Sequence, residues 1–120
     1  MKIAITAQGK DLDSKIDLRF GRTKYFLLID TETEEFEVLD NKQNLNAAQG
    51  AGIQAGQTII DSKAEALVSG NCGPKAFTVL NAGKVKIYTV KDMTVKEALD
   101  KFNAGELEIT DSANVDAHWV

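Results

Sequence analysis

A chain of 120 residues has room for one hydrophobic core and one domain, spanning 1–120, with little left for a second. Its 43% hydrophobic and 27% charged residues exclude a disordered or fibrous protein, and no apolar run approaches the ~20 residues that span a bilayer. A net charge of −4 excludes nucleic acid as a default partner, since binding a phosphate backbone requires a basic face.

The chain opens with a strand over 2–7, with Ile3 and Ile5 on one face. This apolar stretch is too short for a signal peptide, so a cytoplasmic, membrane-free protein is expected. A polar segment follows over 8–24. Its acidic run, Asp11, Asp13 and Asp17, lacks the glycine and the closing glutamate of a calcium loop and reads as solvated. The segment ends in Arg19-Phe-Gly-Arg22, which holds the two arginines of the chain; the other twelve basic residues are scattered lysines. Two forked guanidinium groups at a glycine turn suit a multivalent anion. The alternative is a pair of surface arginines, one pinning a loop carboxylate such as Asp17.

Residues 25–29, Tyr-Phe-Leu-Leu-Ile, form a continuous β-prone run that predicts a strand buried on both faces. The chain turns over 31–35 and returns over 36–39, with Phe36 and Val38 alternating against glutamates; this is a hairpin. A polar loop over 41–49 leads to a helix over 52–62. Its start, Gly50-Ala-Gly-Ile-Gln-Ala-Gly56, permits close approach of a ligand to backbone N–H groups through Gly50 and Gly52, with Gln54 beside them. The spacing is neither a dinucleotide fingerprint nor a P-loop, and tight helix-on-sheet packing is the weightier reading of the pattern alone.

A short buried strand over 66–68 leads into Gly70-Asn71-Cys72-Gly73-Pro74. Loops of this kind, at the carboxyl ends of parallel strands, form the usual ligand crevice of an α/β sheet. A thiol just before a helix N-terminus is expected to ionise more easily and to serve as a soft metal ligand. It is also simply what a small buried side chain in a turn looks like. Being the single cysteine, Cys72 excludes an internal disulfide and any all-cysteine metal site. Pro74 suits the first position of a helix and Gly83 the residue past its end. A strand over 85–90 follows. Thr94 and Glu97 form a capping box for a helix through Phe102, which Gly105 closes. The remainder, 106–120, has no clear periodicity and carries the lone histidine, His118.

The order β-β-β-α-β-α-β-α predicts an α/β domain with a mixed five-stranded sheet. An N-terminal hairpin and parallel later strands are flanked by about three helices.

Taken in order, Arg19-Phe-Gly-Arg-Thr-Lys-Tyr-Phe26, Gly50-Ala-Gly-Ile-Gln-Ala55, Gly70-Asn-Cys-Gly-Pro-Lys-Ala-Phe77, Ala82-Gly-Lys-Val-Lys-Ile-Tyr88 and Thr94-Val-Lys-Glu-Ala-Leu99 resemble the dinitrogenase iron–molybdenum cofactor biosynthesis family. The resemblance implies a ribonuclease H-like topology. It also implies a protein, not an enzyme, that binds, carries or protects an iron–molybdenum or related metal–sulfur cofactor, with cofactor-assembly proteins as partners and a monomeric or weakly dimeric state. Carried onto this chain, the cofactor-binding set is Arg19, Arg22, Gly50, Gly52, Gln54, Asn71, Cys72 and Gly73, with Cys72 and His118 as metal ligands. Members often carry histidine directly before the Phe-Gly-Arg; here that position is Arg19, so a metal ligand of the relatives is missing. The rival readings are a regulatory module binding a nucleotide or phosphate metabolite at the glycine-rich helix start, and a nuclease. A two-metal nuclease needs clustered carboxylates, and the first strand contains none.

Overall fold

A computed structural model describes residues 1–42 and 50–110. The elements are β1 (Lys2–Ala7), β2 (Tyr25–Asp30), β3 (Phe36–Asp40), α1 (Ala51–Asp61), β4 (Ala66–Ser69), α2 (Pro74–Ala82), β5 (Lys86–Thr89) and α3 (Val95–Asn103). They follow the expected order, with ends shifted by one or two residues. The sheet runs β3-β2-β1-β4-β5; β2 is antiparallel to β1 and β3, while β1, β4 and β5 are parallel. No helix among the described residues is long and apolar enough to cross a membrane.

The unbroken apolar runs are explained by two cores, one on each face of the sheet. Ala4, Phe26, Leu28, Leu67 and Ile87 pack with Ala55, Ile59, Ala76 and Leu80 of α1 and α2. Ile3, Ile5, Leu27, Ile29 and Val68 pack with Val95, Ala98 and Leu99 of α3. Successive strand residues point to opposite faces, so a strand buried on both sides cannot alternate apolar with polar. β3 sits at the edge, and its Phe36 and Val38 remain exposed.

The helix ends are made as their sequences suggest, with one difference. Thr94 accepts a bond from the Glu97 N–H, Glu97 accepts one from the Thr94 N–H, and Gly105 takes a left-handed φ of 72° beyond α3. Past α2, the left-handed residue is Lys84 at 64°, whereas Gly83 has a φ of −83°. Glycine stands at 83 for space: a Cβ there would lie 2.6 Å from the Ile60 side chain. Beyond Gly105 the chain is more regular than its sequence suggests. Ile109 bridges Tyr88 antiparallel, and the Thr110 N–H donates to the Ile87 carbonyl at 2.7 Å, covering part of the β5 edge.

Topology alone brings the loops of interest to one end of the molecule. Ala7, Ser69 and Thr89 end the parallel strands at one edge of the sheet. The pairings Ala7 with Tyr25 and Tyr25 with Asp40 bring the start of β2 and the end of β3 to the same edge. A helix joining parallel strands returns antiparallel to them, so α1, α2 and α3 all direct their N-termini toward this edge.

Candidate anion-binding site

The site begins with a stitch between two loops. The Asn71 N–H donates to the Leu18 carbonyl at 2.8 Å and the Phe20 N–H to the Asn71 carbonyl at 3.1 Å, so Arg19 lies alongside Asn71. Gly70 makes this approach possible, because a Cβ there would sit 2.6 Å from the Leu18 Cα. Buried hydroxyls hold the loop from beneath. Thr6 donates to the Asp17 carbonyl at 2.7 Å and lies 3.3 Å from the Ser69 hydroxyl.

The Phe-Gly-Arg turn is anchored at three points. Phe20 is buried against Phe26, with ring centroids 5.6 Å apart. The Asn41 side-chain amide donates to the carbonyls of Gly21 and Thr23 at 3.1 and 2.9 Å. Gly21 lies directly on the start of α1, where an added Cβ would be 2.9 Å from the Gly52 nitrogen. The three segments singled out from the sequence therefore meet at one place. Of their residues, Arg19 and Gln54 are exposed, Arg22, Gly50 and Asn71 half-buried, and Gly52 and Gly73 buried.

The glycines of α1 divide between two tasks. Gly50 caps the helix with a left-handed φ of 80°, which glycine adopts without steric penalty. Gly56 lets α1 press on α2; a Cβ there would be 3.0 Å from Val79. Packing thus accounts for Gly56 and contributes at Gly52. Neither α1 nor α2 has a side-chain cap or an acidic residue in its first turn, whereas α3 has both. Neither α1 nor α2 thus carries a carboxylate of its own in its first turn, and the N–H groups and dipole of a helix N-terminus favour an anion. A groove of about 420 Å³ between α1 and α2, lined by Ile53, Pro74, Lys75, Thr78 and Val79, adjoins these two termini.

Two expectations need correction. Cys72 sits at the end of the strand as foreseen, but its side chain is fully buried in the core with Phe20, Phe26, Ala55 and Ala76. Burial pushes its thiol up to about 12, so desolvation overrides the helix dipole and the group is a neutral thiol at physiological pH. Asp17 is not solvated: it is buried, accepts the Arg19 N–H at 3.1 Å and lies 3.9 Å from the Arg19 Nε. Arg19 therefore combines the two readings given to it, pinning a loop carboxylate while its side chain stays half in solvent. Asp11 and Asp13 are exposed as expected. His118 lies outside the described residues.

No group of three or more His, Cys, Asp or Glu among the described residues is placed to hold a metal ion. The residues that sequence reasoning passed over are buried polar ones that position the loops, namely Thr6, Thr23, Asn41 and Ser69. The signal available was Thr6, a polar residue in an otherwise apolar strand.

The fold and sequence have counterparts among known proteins. The chain is similar to the orange protein of Desulfovibrio gigas, whose apo structure matches with a TM-score of 0.92 at 36% identity, covering 95% of this chain and 96% of that one. It is also similar to a Thermotoga protein of the DUF35 family, with a TM-score of 0.82, 37% identity and coverage of 95% and 97%. An uncharacterized protein of Methanocaldococcus jannaschii is 26% identical over 111 residues, 90% of each chain. The family profile described as dinitrogenase iron-molybdenum cofactor matches residues 1–105, and the chain belongs to that family.

Proposed function

We propose that this protein binds and carries a preassembled, anionic metal–sulfur cofactor of the iron–molybdenum class, holding it by charge and hydrogen bonds instead of metal–ligand bonds. The observation that carries this reading is the meeting of the starts of α1 and α2, neither with an acidic first turn, with the Arg19–Arg22 turn, beside a sulfur that is buried and neutral. Backbone N–H groups at the Gly50–Ala51–Gly52 start and at Gly73 would face the sulfide surface. Arg22 and Arg19 would supply charge, and Asn71 and Gln54 further polar contacts. The orange protein relative was solved in an apo form, which fits a protein that exists with and without a bound group. Such a carrier acts in the cytoplasm, without turnover, as a monomer or weak dimer that exchanges its cargo with assembly proteins. Cys72 is not a ligand in this reading.

Equilibrium dialysis against a synthetic thiomolybdate tests it. Arg19→Ala/Arg22→Ala should weaken binding about tenfold or more, as loss of charge-assisted hydrogen bonds predicts. Cys72→Ala should leave loading unchanged, and added salt should weaken it. Equal loading of wild type and the double arginine variant would overturn the proposal.

A further inference from the structure

The opposite edge of the sheet holds a cavity of about 340 Å³, within the size range of small-molecule sites. Lys63, Lys84 and Lys86 line it together with one carboxylate, Glu65, and one wall carries Tyr88 and Phe102. The two rings meet edge to face with centroids 5.2 Å apart. The lysines come from three places: the turn after α1, the turn after α2 and the first residue of β5. None of the three forms an ion pair among the described residues.

A lysine just past a helix ordinarily answers the negative end of the helix dipole. That explanation is incomplete here. The last carbonyls of both helices already accept backbone N–H groups: Thr58 and Ile60 from Ser62, Ile60 also from Lys63, Val79 and Asn81 from Gly83, and Leu80 from Val85. Lys63 and Lys84 hold left-handed φ angles of 65° and 64°, a conformation that glycine or asparagine takes with less strain. Gly83, one residue before Lys84, is fixed by its contact with Ile60, which presses the end of α2 onto α1 and keeps Lys84 at the rim that Lys63 shares. Lys86 lies on a strand and has no helix end to complement.

We infer that this cavity binds a phosphorylated small molecule with a flat aromatic body, the size of a mononucleotide. Among the lining side chains, three ammonium groups against one carboxylate leave an excess of two positive charges, which suits a phosphate monoester. The ring system packs against Tyr88 and Phe102. This site is separate from the anion site at the carboxyl edge and does not depend on how that edge is read.

Nuclear magnetic resonance titration of the full chain with AMP, inorganic phosphate and adenosine tests the inference. AMP should produce saturable amide shifts at residues 63–66 and 83–88, with phosphate and adenosine each binding more weakly. Lys63→Gln/Lys84→Gln should weaken AMP binding about tenfold or more, while Arg22→Ala should not affect it. If the double variant folds poorly, Lys86→Gln, at an exposed strand position, carries the same test. Unchanged AMP affinity in the lysine variants, adenosine binding as tight as AMP, or AMP shifts centred on residues 50–56 would overturn it.

Discussion

Cys72 is separated from α2 by a single residue, where a helix dipole ordinarily lowers a thiol's pKa, yet its environment decides the opposite. Packed among Phe20, Phe26 and Ala76, the thiolate would lose its hydration. In the unfolded chain the thiol ionises near 9.0; in the folded protein burial holds it protonated up to about 12. Its contribution to stability is therefore complete below pH 9 and is lost as pH rises toward 12. Urea unfolding across that range should show a steeper fall in stability for wild type than for Cys72→Ala. Cys72→Ser places a hydroxyl in an apolar pocket and should destabilise by about 1–3 kcal/mol, without changing thiomolybdate loading per folded molecule. A thiol reagent that labels native Cys72 quickly at neutral pH would contradict this account.

At the scale of elements, the site depends on backbones that touch. Gly21 meets the α1 start and Gly70 meets Leu18, each at a distance where a methyl group would collide with main chain instead of a movable side-chain tip. Gly21→Ala should therefore destabilise by roughly 1–3 kcal/mol and weaken thiomolybdate binding more than Gly56→Ala does. The contrast arises because the Gly56 neighbour is a valine methyl, and because Gly56 faces α2. Parallel urea curves and dialysis on both variants would show it. α3 is a separate case, since its capping box is complete. Thr94→Ala should cost about 1 kcal/mol, read from the shift of the urea midpoint. The Thr94 N–H holds the Glu97 carboxyl below its usual range, so this contribution is present above pH 4.5 and is lost as pH falls; Glu97→Gln should flatten that limb.

For the whole molecule, the parallel arrangement of β1, β4 and β5 aims the N-termini of all three helices at one edge and their C-termini at the other. Helix N-termini favour anions, and this gathering of them is the main-chain basis of the binding proposed at the carboxyl edge. This arrangement predicts how metal enters. Apo protein dialysed against iron(II) or molybdate should retain no stoichiometric metal by elemental analysis, whereas preformed thiomolybdate should be retained. Stoichiometric uptake of a free metal ion would point instead to ligands that the described residues do not provide.

The sequence by itself determined the element order, the hairpin, the capping box and the five short motifs. Apolar runs, β-branched residues, Pro74 and the Thr94–Glu97 pair act locally, within a few residues of where they stand. It also named Arg19, Arg22 and the two glycine segments as belonging to one kind of site. Only the tertiary structure decided which glycines serve packing, because whether a Cβ fits at Gly21, Gly56, Gly70 or Gly83 depends on a neighbour 23 to 52 residues away in sequence. It likewise decided that Asp17 is buried and that Cys72 is a core thiol. A side chain's pKa follows from what surrounds it, and the surroundings of Cys72 come from β2, α1 and the loop holding Phe20, segments that chain order cannot place against it.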